Sequence, residues 1–114
     1  MKKDHNYWVY ILANWKKSVL YVGVTSNLRW RIISHYHNRG NPKSFTGKYY
    51  CYNLVYYEWY SYVNNALIRE KEIKKLLREK KNEIITEANP EWKFFKEFIC
   101  GEWPPKEDET GEKL

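Results

Sequence analysis

The sequence predicts an α+β fold: a three-stranded antiparallel sheet flanked by helices, in the order β-β-α-β-α-α. Three observations carry this. Three runs are rich in β-branched and aromatic residues, two of them separated by a hairpin-length loop. Two further stretches place apolar residues at helical spacing behind capping residues. Clusters of Asn, Gly and Pro divide the segments.

In chain order, Tyr7-Trp8-Val9-Tyr10-Ile11-Leu12 and Val19-Leu20-Tyr21-Val22-Gly23-Val24 read as strands. The polar loop between them, residues 13–18, has hairpin length and makes the pair antiparallel. Thr25, Ser26 and Asn27 offer N-caps for a helix from Leu28. It ends near Asn38-Arg39-Gly40-Asn41-Pro42, and a polar loop continues to about Lys48. Asn53 to Tyr60 is the third strand. From Asn64 or Asn65 a long helix is expected to run to about Ala88, stopped by Asn89-Pro90. Glu91 to Phe98 carries Trp92, Phe94, Phe95 and Phe98 and reads as a short helix packing back on the sheet.

One domain over residues 1–103 is expected, followed by a disordered polar tail over 104–114. Aromatics make up 18% of the 114 residues, too many for an intrinsically disordered chain. There is no apolar run of spanning length and no secretory leader pattern. Cys51 and Cys100 lack metal-ligand spacing, so a reducing cytoplasm is the expected compartment. The net charge is +6, and residues 106–114 hold two lysines against four acids, so the first 105 residues carry +8. A basic, aromatic-rich domain points to a polyanion, most often nucleic acid.

Glu70 is the anomaly. Ala66, Ile73, Leu77 and Ile84 share one helical stripe, and Glu70 falls within it. A carboxylate facing a core needs a cation or hydrogen bonds. It is either an edge residue paired with Lys74 or an arginine, or a ligand. Arg31 and His35 stand one turn apart beside the Leu28–Ile32 stripe. They form either a phosphate grip or a surface Arg beside a satisfied His. His37 is expected on the opposite, exposed side. Gly23 within a strand marks a bulge or a close approach. Tyr10 and Tyr21 can share one face of adjacent strands.

Together these residues resemble the GIY-YIG nuclease superfamily, in particular its small single-domain bacterial members, related to the N-terminal nuclease domain of the excision-repair incision subunit. Trp8-Val9-Tyr10 stands for the first half-motif and Tyr21-Val22-Gly23 for the second. Arg31 matches the helical arginine, with His35 a turn later, and Glu70 matches the metal-binding glutamate. Asn89-Pro90-Glu91-Trp92 resembles the closing Asn-Pro motif. The likeness spans about Tyr7 to Phe95. Trp8 and Val9 replace the Gly and Ile of the name motif, Trp30 stands where a basic residue is usual, and the 44–48 loop keeps one lysine.

The resemblance implies an endonuclease that hydrolyses phosphodiester bonds in DNA with weak sequence specificity, in repair or processing, using Mg²⁺ or Mn²⁺ held by Glu70. It assigns Tyr10, Tyr21, Arg31, His35, Glu70 and Asn89 to the catalytic set. Lys48, Lys71, Lys74, Lys75 and Arg78 would attract the nucleic-acid backbone, with affinity falling steeply as salt rises. A monomer or weak dimer is expected, with no membrane partner. The same basic and aromatic features would equally serve a non-catalytic nucleic-acid-binding module. A third reading makes Trp92 to Phe98 a protein-docking surface.

Overall fold

The structure, a computed structural model, describes residues 6–95, Gly101, Trp103 and Pro104. Its order is β1 (Tyr7–Ala13), β2 (Leu20–Thr25), α1 (Leu28–His37), α2 (Phe45–Lys48), β3 (Asn53–Tyr60), α3 (Val63–Lys75) and α4 (Arg78–Ala88). The expected three-stranded antiparallel sheet is present, with strand order β2-β1-β3.

Side chains alternate across the central strand and create two cores. Val9, Ile11 and Ala13 face α3 and α4, packing with Val22, Val55, Ala66, Ile73 and Ile85. Tyr10 and Leu12 face the other way, onto Leu28, Ile32 and Ile33 of α1, with Cys51 and Leu54. Asn27 caps α1, its side chain accepting the Trp30 backbone N–H.

The pairing of β1 with β3 slips between Ile11 and Leu12: Ile11 faces Tyr56 and Leu12 faces Leu54, so Val55 is the extra residue of a bulge. A bulge leaves one residue outside the ladder. The Val55 carbonyl accepts from the Asn89 side-chain amide instead, at 2.9 Å.

The expected long helix is two helices. Leu76 and Leu77 are both extended, with ψ of 149° and 157°, and Leu77 is 72% exposed rather than on the buried stripe. The break forfeits helical hydrogen bonds, which α4 offsets through tertiary contacts. Ile85 enters the core, and the Arg78 guanidinium donates to the Lys17 and Ser18 carbonyls of the β1–β2 turn at 2.7 and 2.9 Å. No Gly or Pro announces this break.

The expected helix at Glu91–Phe98 is corrected over its described part. Residues 91–95 form a turn and an irregular segment, with Trp92 in the left-handed region. Asn89 causes this: its side chain donates to the Lys93 carbonyl and accepts the Lys93 N–H, both at 3.0 Å, turning the chain back. Phe95 then donates its backbone N–H to the Leu54 carbonyl. Residues 96–98 lie outside the described residues, as does the expected tail beyond Pro104.

The loop before Lys48 contains a helical turn that its sequence pattern does not announce. Ser44 caps α2 by accepting the Gly47 N–H. Gly47 is packed so closely that a Cβ there would lie 2.6–2.7 Å from the Asn41 and Asn38 carbonyls. This docks α2 against the end of α1.

Candidate active site

Tyr10 is central to the site. It pairs with Gly23 across the sheet, and its ring lies over the glycine: a Cβ on Gly23 would meet the phenol oxygen at 2.5 Å. Gly23 is therefore the close-approach kind of strand glycine. The missing side chain lets a buried tyrosine cross β2 and carry its hydroxyl to the sheet edge.

There the hydroxyl lies 3.0 Å from His35 Nε2, and His35 Nδ1 lies 3.2 Å from the Thr46 hydroxyl. Burial pushes the imidazole down to about 4, helped by the Arg31 charge. Burial raises the Tyr10 phenol above its ordinary range, with Tyr21 and Glu70 adding to the rise and Arg31 opposing it. At neutral pH both groups are uncharged. One tautomer runs Tyr10 O–H to His35 Nε2 and His35 Nδ1–H to Thr46; the other reverses both, with Thr46 O–H donating to Nδ1 and Nε2–H to Tyr10.

The tyrosine and histidine rings pack as a triad with centroids 5.7–6.3 Å apart, Tyr21 being the third. Arg31 stacks on Trp30, and its Nε is buried with no hydrogen-bond partner among the described residues. A buried guanidinium nitrogen without an acceptor is costly unless a ligand supplies one. Arg31, Tyr21, His35 and Thr46 line a cleft of about 420 Å³. Its wall also includes Ser34 and His37, whose Nε2 is buried with no hydrogen-bond partner among the described residues. His37 is thus not on an exposed face.

Glu70 arrives from the helix on the other side of the sheet. It is 8% exposed, and its charge reaches Tyr10. Lys74, one turn on, lies 2.5 Å from its carboxylate. Its neighbour Arg69 fixes the rotation of α3 by gripping Glu58 of β3 through Nε and Nη2 at 3.0–3.2 Å. Burial would raise the Glu58 carboxyl, but hydrogen bonds from Arg69, Tyr56 and Tyr60 outweigh it and hold it below the usual range.

The structure therefore brings Tyr10, Tyr21, Arg31 and His35 together at one cleft, while Glu70 stands on α3 across the sheet, paired with Lys74 and acting on Tyr10 through its charge. Asn89 is elsewhere: its amide is occupied by Val55 and Lys93. Lys48, Lys71, Lys74 and Lys75 are exposed. Arg78 is exposed too, with its guanidinium engaged on the hairpin carbonyls. Thr46 and Ser44 were not among the candidates drawn from the sequence, although a Ser three residues before Gly47 was a legible capping signal.

Among the described residues, no three His, Cys, Asp or Glu side chains converge as a metal cage. Glu70 is a single buried carboxylate, the donor type that a hard cation takes beside water and phosphate oxygens, and a cation there would displace the Lys74 ammonium that now pairs with it.

Residues 6–83 match the GIY-YIG catalytic domain, and the chain belongs to that family. It is 36% identical over 82 residues to the UPF0213 protein SSP2268 of Staphylococcus saprophyticus, covering 72% of this chain and 96% of that protein. It is 39% identical over 79 residues to the UPF0213 protein CPE1444 of Clostridium perfringens, covering 69% and 82% respectively. Its fold is similar to the solution NMR structure of the UPF0213 protein BH0048 from Bacillus halodurans. The TM-score is 0.51 at 25% identity, over 83% of this chain and 98% of that one. No helix among the described residues is long and apolar enough to cross a membrane.

Proposed function

We propose that the protein is a divalent-metal-dependent endonuclease that hydrolyses phosphodiester bonds in DNA with weak sequence specificity. The observation that carries this is the buried Nε of Arg31, without a hydrogen-bond partner among the described residues, beside the neutral Tyr10–His35 pair. An oxyanion in the cleft would supply the missing acceptor, and a guanidinium there stabilises the charge that develops on a phosphate under attack. Glu70 is the residue that would hold Mg²⁺ or Mn²⁺; when bound, the ion offsets charge on the phosphate and leaving oxygen.

A proton path runs along the Tyr10–His35 hydrogen bond, against both pKa shifts, since burial makes the phenol a weaker acid and the imidazole a weaker base. Tyr10 is a protonated phenol, so it cannot accept water's proton without losing its own. His35 Nε2 is 3.0 Å away and accepts that proton in the tautomer that carries its hydrogen on Nδ1. Tyr10 takes the proton from the attacking water as its own passes to His35, and Thr46 holds the ring that receives it. Tyr21 orients water or phosphate. Lys48, Lys71, Lys74 and Lys75 supply backbone attraction, with Arg78 contributing charge from its place on the hairpin. Asn89 supports the sheet beneath the site through the Val55 carbonyl.

Supercoiled plasmid incubated with the protein and Mg²⁺ or Mn²⁺ tests the proposal. Nicked circles are expected from the wild type and not from Glu70→Ala or Arg31→Ala. Plasmid left equally intact by wild type and variants, across metals and salts, would sink the catalytic reading. A second reading, a non-catalytic nucleic-acid-binding module, draws on the Lys74–Glu70 ion pair, which neutralises Glu70 without a metal. It requires binding that persists in EDTA and is indifferent to Glu70→Ala.

A further inference from the structure

A row of aromatic rings leads out of the cleft. Tyr21, in the site, lies 6.2 Å from Phe45, and Phe45 lies 4.9 Å from Tyr49. Phe45 is 49% exposed and Tyr49 41%, so both residues are open to solvent. The Lys48 ammonium sits 5.3 Å from the Tyr49 ring centre. The platform is held from beneath. Ser44 caps its helix, Gly47 is packed against the Asn38 and Asn41 carbonyls, and the Cys51 N–H donates to the Thr46 carbonyl. Thr46, between the exposed residues, is buried and binds His35. The same helical turn therefore holds the histidine and presents the rings.

Exposed rings beside a cation, joined through Tyr21 to the cleft that Arg31 lines, match one ligand chemistry: a planar base on a phosphodiester chain. In duplex DNA the base faces are covered by their stacked neighbours, and only an unpaired nucleotide can offer one to Phe45 or Tyr49. Resting on the nuclease reading above, we propose that the Phe45–Tyr49 platform binds an unpaired base next to the scissile phosphate. The substrate is then DNA with a single-stranded segment at the cut site. Lys48 neutralises the phosphate that follows the stacked base.

The test is binding in EDTA, where no cleavage occurs, read by fluorescence anisotropy with a labelled DNA single strand of about 12 nucleotides, within the site sizes such platforms cover. The same strand as a blunt duplex and the same sequence in RNA complete the set. The wild type is expected to bind the DNA single strand about tenfold more tightly than the duplex at equal salt, the discrimination that one stacked base supplies. Phe45→Ala and Tyr49→Ala should each weaken single-strand binding by roughly fivefold to a hundredfold, the range for losing one stacked base. Phe45→Trp and Tyr49→Phe should retain it, and duplex binding should change little in any of the four. Circular dichroism checks that the variants fold. Equal affinity for single strand and duplex, unchanged single-strand binding in both alanine variants, or equal losses on both DNA forms would each overturn the proposal. Tighter binding of the RNA strand would overturn DNA as the occupant. Plasmid nicking without single-strand preference would defeat this inference and leave the nuclease reading standing. Base-selective binding by a protein that cuts nothing would do the reverse.

Discussion

Gly23→Ala is the sharpest probe of how the site is built. The three atoms nearest the new methyl group all belong to Tyr10, at 2.5, 2.6 and 3.0 Å. Tyr10 is 2% exposed and hydrogen-bonded to His35, so its ring has nowhere to move without breaking that contact. Overpacking of this kind costs about 1–3 kcal/mol. The lost hydrogen bond adds about 1 kcal/mol. Each kcal/mol is worth about 4–8 °C in Tm for a domain near this size. Gly23 is not among the glycines with positive φ, so alanine meets no backbone strain there. In a Tyr10→Leu background, which lacks the ring atoms that clash, Gly23→Ala should therefore become neutral or stabilise by about 0.4–1 kcal/mol through the less flexible unfolded chain. Urea unfolding of the four proteins in a double-mutant cycle measures this change of sign. An equal penalty for Gly23→Ala in both backgrounds would refute the close-approach argument.

Two further predictions concern the groups around the site. The His35 imidazole titrates near 4 folded and near 6.5 unfolded, so the unfolded chain binds the extra proton between those values. Stability should be level above about pH 6.5 and fall as pH drops toward 4, by up to about 3 kcal/mol, with His35→Gln lacking this component. Parallel loss in wild type and His35→Gln, followed by urea midpoint, would discredit it. Asn89→Ala removes the partners of the Val55 carbonyl and of both Lys93 backbone groups, and should cost about 2–4 kcal/mol by the same measurement. A cost below about 0.5 kcal/mol, the range of an ordinary surface change, would show that the amide contacts do not hold the bulge.

Local spacing made much of the site legible. Tyr10 and Tyr21 belong to one hairpin, and Arg31 and His35 lie one turn apart on the helix that follows. Their neighbourhood is fixed by strand pairing and helical pitch, which depend on nearby residues. Glu70 was visible as a charge on an apolar stripe. What surrounds it in the fold was not, because that depends on α3 packing against the sheet and on Arg69 gripping Glu58 across eleven residues. Thr46 stayed hidden because its function is a contact with His35, eleven residues earlier, made across a loop with no strong periodicity.

The sequence by itself determined the three strands, their antiparallel hairpin and the division of Tyr10 from Val9 and Ile11 onto opposite faces, since side-chain alternation and capping are properties of adjacent residues. Tertiary structure decided the rest. It broke the long helix at Leu76 and Leu77, where no Gly or Pro demands it, because Ile85 and Arg78 find better partners on the sheet and its hairpin. It turned the chain at Trp92 rather than continuing a helix, because the Asn89 amide satisfies a carbonyl exposed by the bulge at Val55. Helical propensity differs by under about 1 kcal/mol per ordinary residue, whereas one buried polar group left unpaired costs about 1–3 kcal/mol. Where the two conflict, the contact that forms only in the folded chain prevails.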